Sequence, residues 1–141
     1  MTEMQIQQVL ETVLYAHDLE LTARFYRDVL GLVQQSVERG RHHFFRCGRG
    51  MLLIFNPAQS ISQTDLPSHG TSDATHVAFA VREQDMDAWQ EKLQKHGVEI
   101  ETELTWPNGG RSLYFRDPDG NSLEIATPQM WGLAEADDDD D

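Results

Sequence analysis

Residues 110–125, GRSLYFRDPDGNSLEI, decide how this chain folds. Leu113 and Phe115 alternate with Ser112 and Tyr114, the chain turns at Asp117-Pro118-Asp119-Gly120, and it returns through Leu123-Glu124-Ile125, the pattern of a β-hairpin. Glu124 stands between two aliphatic residues, where an ionised carboxylate is costly to bury unless a cation or hydrogen-bond donors compensate it. Taken alone, it also reads as a strand residue alternating toward solvent. The same hairpin occurs seventy positions earlier, at residues 40–55, GRHHFFRCGRGMLLIF. There Gly40, Arg41, Phe45, Arg46, Gly50 and Leu53 match Gly110, Arg111, Phe115, Arg116, Gly120 and Leu123. On this alignment the mate of Glu124 is Ile54. One copy is apolar where the other is charged, so the position need not face water.

Working outward, the two hairpins close two copies of one larger unit. Residues 8–16 (QVLETVLYA) read as a strand. Asp18 offers an N-cap, and Leu19, Thr22, Ala23, Tyr26, Val29 and Leu30 recur at helical spacing until Gly31 ends the helix. Residues 32–38 form a short strand before the first hairpin, 41–56. Residues 57–73 turn to Ser, Gln, Thr, Pro, His and Gly and read as a long connection, with His69 as a solvated loop histidine. The order then repeats: a strand at 75–81, a helix capped by Asp85 with Met86, Trp89 and Leu93 inward, a stop at Gly97, a strand at 98–104 and the second hairpin. Neither half can bury its helix and sheet face alone. The expectation is an α+β fold of two βαβββ modules forming a curved mixed sheet around a cleft, with the helices outside. Residues 1–133 make one domain, with module one at 8–56, the linker at 57–73 and module two at 74–127.

Composition narrows the class. The chain has 141 residues and a net charge of −13, and residues 135–141 (EADDDDD) hold six of the acids, so removing those six leaves −7. Such a balance argues against nucleic acid as a partner. Residues 134–141 read as an acidic, disordered tail. A single cysteine, Cys47, excludes an intramolecular disulfide framework and reads as a partly buried small hydrophobe in a reducing compartment. No apolar run reaches the length of a membrane span, and the polar start MTEMQIQQ is no signal peptide, so the expected location is cytoplasmic, with no membrane partner.

The segments YAHDLELTARFYRDVLGL and FRDPDGNSLEI resemble the first strand–helix signature and the closing hairpin of the vicinal oxygen chelate superfamily, also called glyoxalase/bleomycin resistance/dioxygenase proteins. The resemblance covers about residues 8–126. In metal-dependent members it implies ligands from the first and last strands of each half, which fall on Glu11, Ile54, His76 and Glu124 here. Ile54 cannot bind a metal, so the resemblance implies Glu11, His76 and Glu124 as ligands, with Glu124 or Glu11 as the catalytic base. One histidine with two carboxylates suits Ni, Co, Mn, Zn or Mg as a Lewis acid better than oxygen activation. Glu11 alternates with Leu10 and Thr12 and reads equally as a ligand or as a solvent-facing residue. Around His76, Val77 and Phe79 alternate with Ala78, which leaves small residues on the histidine's own face.

Further candidates come from counting along the hairpins. If Asp117 to Gly120 is a four-residue turn, Arg116 opposes Asn121 and Leu113 opposes Glu124. The same count puts His43 opposite Ile54, so a histidine faces the cleft where the fourth ligand is missing, unless a bulge around Gly48 to Gly50 flips the face or the ring merely packs beside His42. Arg41 and Arg111, at the strand starts, are candidates for binding an anionic substrate or remain surface arginines. Phe45 and Phe115, with Trp106 and Trp131, are candidate cleft aromatics.

The leading expectation is therefore a glyoxalase-like, metal-dependent lyase or isomerase acting on a small oxygenated substrate through bidentate chelation and proton abstraction. A metal-free binding protein of the bleomycin-resistance type is one alternative. A thiol transferase of the fosfomycin-resistance type, or a dioxygenase, is another. Dimers are common in the superfamily, and an apolar patch at Met130 and Trp131 just beyond the last strand points to a homodimer in which both residues dock on protein.

Overall fold

The computed structural model describes residues 4–136, so the tail reading falls, from Asp137 on, outside the described residues. The first half runs β1 (Glu11–Tyr15), α1 (Leu19–Asp28), β2 (Val33–Glu38), β3 (His42–Cys47) and β4 (Gly50–Phe55). The second runs β5 (His76–Ala80), α3 (Met86–Lys95), β6 (Thr102–Thr105), β7 (Arg111–Arg116) and β8 (Ser122–Ala126). Between them the connection contains a short helix, α2 (Pro57–Ile61), which the sequence reading missed. Pro57 sits where a missing N–H costs nothing, and the Asn56 side chain accepts from the Ala58 N–H at 3.1 Å. The expected cap of α1 is present, since the Asp18 carboxylate accepts from the Leu21 N–H at 3.2 Å. The expected cap of α3 is not. Residues 83–85 form a 3-10 turn, and the Asp85 carboxylate accepts from Arg82 Nε at 3.1 Å instead of from helix backbone.

Each half builds its own four-stranded mixed sheet, in the orders β1-β4-β3-β2 and β5-β8-β7-β6. These are the two βαβββ modules. No backbone ladder joins the two sheets among the described residues.

Strand register decides what each side chain can do. In the first sheet His43 opposes Ile54 and Phe45 opposes Leu52, and Leu14 of β1 opposes Ile54 from the other side. All five are buried and belong to the face packed against α1. In the second sheet Leu113 opposes Ile125, Phe115 opposes Leu123, and Phe79 and Val77 flank them from β5. A single apolar core unites these two faces, with the Phe25 and Phe115 rings 6.4 Å apart. The opposite faces carry Glu11, Val13, Tyr15, Leu53 and Phe55 in the first sheet and His76, Ala78, Ser112, Tyr114 and Glu124 in the second.

The four-residue turn is a miscount. Arg116 opposes Ser122, so residues 117–121 form a five-residue loop, and it is Tyr114, not Leu113, that opposes Glu124. In the first hairpin Cys47 opposes Gly50 and the turn has only Gly48 and Arg49. The extra loop length moves the alignment of the last strands by one. Leu53 opposes Val13 as Glu124 opposes Ala78, so the mate of Glu124 is Leu53 rather than Ile54.

The loop is held by Asp117. Its Oδ1 accepts from the N–H groups of Asp119 (2.9 Å) and Asn121 (3.0 Å), and its Oδ2 from Tyr26 Oη of α1 (2.6 Å) and Asn121 Nδ2 (2.9 Å). Asn121 Nδ2 also reaches the Tyr15 carbonyl at 3.2 Å, and Asp119 accepts from the His17 N–H at 2.9 Å. The end of β1 is thereby fastened to the loop that precedes β8.

Burial, reinforced by the Asp117 charge and hydrogen bond, holds the Tyr26 phenol well above its ordinary pKa. A raised folded-state pKa contributes stability that is complete below about pH 10, the unfolded phenol's value, and is lost as pH climbs through the folded one. Tyr26→Phe is expected to cost about 1.5–3 kcal/mol at pH 7, the range for a hydrogen bond to a charged group. Urea unfolding at pH 7 and above pH 10 checks this. The gap between the two proteins should narrow at the higher pH, because only the wild type has that proton to lose.

Candidate active site

His76 and Glu124 come together on the open face of the second sheet. They lie on neighbouring strands two residues apart in register, and His76 Nε2 is 3.4 Å from Glu124 Oε1. The histidine side chain is 49% exposed and the carboxylate 6%. His76 Nδ1 lies 2.8 Å from the Ser122 carbonyl oxygen, which can only accept. A neutral imidazole therefore carries its proton on Nδ1 and presents a lone pair at Nε2. That lone pair faces a carboxylate oxygen. Two electron pairs so placed require a proton or a cation between them. Donors on one metal ion with bonds of about 2.1 Å stand roughly 3.0–3.4 Å apart, so the observed spacing fits a shared ion.

The other carboxylate oxygen is committed. Glu124 Oε2 accepts from Ser112 Oγ at 2.5 Å, and Ser112 Oγ accepts from Trp106 Nε1 at 2.8 Å. Tyr114 opposes Glu124 on the same face, and burial, with the Glu124 charge, raises the phenol's pKa. Its ring stacks on His76 with centroids 6.5 Å apart. Met130 closes this wall from the turn after β8, with Sδ 3.8 Å from Ser112 Oγ. Gly110 permits that approach, since a Cβ there would stand 2.5 Å from Met130 Cβ.

Glu11 is elsewhere. Val9, Leu10 and Thr12 share a cavity of about 300 Å³ with residues 77–80, which sets the start of β1 beside the end of β5. The Tyr15 carbonyl meets Asn121, next to the start of β8, so the far end of β1 lies toward His76. Glu11 to Tyr15 is four strand steps, about 13 Å. Among the described residues no three His, Cys, Asp or Glu side chains gather to hold a metal ion. The single chain thus supplies His76 and Glu124 as a fitting pair and leaves Glu11 exposed and apart.

Four substrate-binding expectations are corrected by the register. Phe45 and Phe115 have no exposed surface and are core residues, as odd positions of their strands must be once Leu113 packs inward. His43 is buried on that same inner side, with Nε2 3.0 Å from Glu20 Oε1 and Nδ1 3.3 Å from Gln34 Oε1. Arg111 begins β7 in phase with Leu113, and its guanidinium meets Glu83 (3.5 Å), Asp87 (3.4 Å) and Glu103 (3.8 Å). Ile54 is fully buried as well and could not be a ligand position.

Arg41 does lie on the open side of the first sheet, over the Phe55 ring at 5.5 Å and bonded to Gln63 Oε1 at 2.7 Å. His69 is not simply solvated. Its Nδ1 is 2.7 Å from Tyr15 Oη and its ring stands edge-on to Phe55 at 4.8 Å. Met130 packs on Ser112 and Gly110 of its own chain, whereas Trp131 is 76% exposed in the single chain. Sequence reasoning missed Ser112 and Tyr114, and the signal that would have found them is the phase of β7, because whichever residue opposes Glu124 shares its face.

The crystal structure of a lactoylglutathione lyase from Agrobacterium tumefaciens superposes on the chain with a TM-score of 0.87 and 37% identity, covering 91% of this chain and 98% of that one. In sequence, the chain is 30% identical over 115 residues to the metallothiol transferase FosB of Bacillus licheniformis, covering 81% of this chain and 71% of that protein. It is also 30% identical over 124 residues to the glutathione transferase FosA of Serratia marcescens, covering 85% and 80%. No helix among the described residues is long and apolar enough to cross a membrane. The family model of the Glyoxalase/Bleomycin resistance protein/Dioxygenase superfamily matches residues 6–125, and with the paired βαβββ modules this establishes that the chain belongs to that superfamily.

Proposed function

We propose that the chain is a glyoxalase-like, metal-dependent enzyme that abstracts a proton from a small oxygenated substrate, and that His76 and Glu124 hold the ion. The observation that carries this reading is the facing pair of His76 Nε2 and Glu124 Oε1, with Nδ1 already spent on the Ser122 carbonyl. A divalent ion bound there would act as a Lewis acid, withdrawing charge from two neighbouring substrate oxygens. The third protein ligand is Glu11 of the partner subunit in a homodimer. The antiparallel setting of β1 and β5 keeps a chain's own Glu11 at the wrong end of its cleft, whereas a second copy can present that strand face to face. Glu124, tied through Oε2, is the fixed ligand. Glu11, on an exposed strand start, is the carboxylate that can leave and take up the substrate proton.

The similarity to two thiol transferases supports a second reading, in which the same His76–Glu124 pair serves addition of a thiol to a small electrophile. The two are separated by assay. A lyase or isomerase converts the hemithioacetal of methylglyoxal and glutathione to a thioester, whereas a transferase joins the thiol to fosfomycin as a thioether adduct, so the product formed tells them apart.

Titration calorimetry should show one site per chain for Ni, Co, Mn or Zn, and His76→Ala should abolish it. Absence of binding to all four ions, or unchanged binding by His76→Ala, would sink the metal reading. The two-chain site has its own test. Glu11→Ala and His76→Ala proteins, each inactive alone, should regain about a quarter of the wild-type sites after subunit exchange, since half the dimers are mixed and each mixed dimer rebuilds one intact site of two. Light scattering that finds only a monomer would refute it. The register makes a further distinction: Leu53→Glu should tighten metal binding by supplying a fourth ligand, while Ile54→Glu should destabilise the fold by about 3–5 kcal/mol through an unpaired charge in the core.

A further inference from the structure

We infer that Ser112 is the positioning residue that makes Glu124 a one-oxygen ligand, and that Trp106 fixes the direction of its hydroxyl. This rests on the metal reading above. Ser112 is fully buried and has a single hydroxyl proton to give. The indole Nε1 of Trp106 can only donate, so its 2.8 Å bond to Ser112 Oγ occupies the serine as acceptor. The serine proton is then directed to the acceptor-only Glu124 Oε2 at 2.5 Å. Charge assistance makes this last bond the strong one. With Oε2 held from behind, Oε1 is left pointing at His76 Nε2.

The strut is anchored at both ends. Trp106 belongs to the loop between β6 and β7, closed by the Trp106 N–H to Gly110 carbonyl bond. Met130 covers the hydroxyl from the other side, and Asn108 Nδ2 ties the same loop to the Met130 carbonyl at 2.6 Å. A carboxylate free to rotate would chelate an ion with both oxygens or swing to solvent. Held through one oxygen, it leaves a coordination position open for a substrate oxygen.

The experiment uses the full-length protein with Ni(II) for calorimetry and Co(II) for visible spectroscopy, neither of which depends on turnover. Ser112→Ala is expected to weaken Ni(II) binding about 10- to 100-fold, the usual effect of removing a residue that orients a ligand, and to change the Co(II) d–d spectrum. Ser112→Thr, which keeps the hydroxyl, should recover both. Trp106→Phe leaves the serine in place but releases its direction, and should give a smaller loss with a shift of the same Co(II) bands. If Ser112→Ala does not fold, as judged by far-ultraviolet circular dichroism, Trp106→Phe decides. Wild-type affinity and an unaltered Co(II) spectrum in the folded variants would overturn the inference while leaving the metal site standing. Failure of the wild type to bind either ion would overturn both.

Discussion

The carboxylate of Asp117 is the contact on which the rest of the molecule depends. It gathers two backbone N–H groups, an amide and a phenol, and so converts DPDGN from a tight turn into a closed five-residue loop. Loop length sets register, and register sets the face on which every residue of β8 emerges. One residue fewer would turn Glu124 into the core and both Leu123 and Ile125 outward. Because Tyr26 and Asn121 carry the same network to α1 and to the end of β1, it also fixes how one half sits on the other.

The two modules show how a duplicated unit diverges without losing its frame. Both keep a helix-side face of large apolar residues, since burying each such side chain contributes about 1.5–3 kcal/mol and the faces share one core. The open faces have gone separate ways. Module two places His76, Ser112, Tyr114 and Glu124 there. Module one places Glu11, His42, Phe44 and Leu53 at the corresponding positions. His42 stacks on Phe44 at 3.8 Å, and burial, then the neighbouring Arg41, lowers its pKa, as befits a neutral ring bonded to that arginine.

Much of this was legible in the sequence. Repeated hairpins, helix-ending glycines and the alternation around His76 and Glu124 are local patterns, and each specifies its own element. What escaped was the phase between strands. The series Leu113, Phe115 and Leu123, Glu124, Ile125 fits two registers, and only the hydrogen bonds of Asp117 choose between them. From that one step follow the pairing of Ile54 with Glu124 and the placing of His43 and Arg111 on the cleft side. Glu11 was misjudged for another reason. Its separation from His76 depends on the relative direction of β1 and β5, and no periodicity within either strand records that.

The bond from His76 Nδ1 to the Ser122 carbonyl has a consequence for how such a site survives sequence drift. The acceptor is main chain, supplied by the parallel ladder in which His76 opposes Ser122. Any residue at 122 provides the same oxygen. The tautomer that exposes Nε2 is therefore a property of the strand pairing, and substitutions that preserve the sheet preserve the ring's readiness to bind, whatever chemistry the surrounding face acquires.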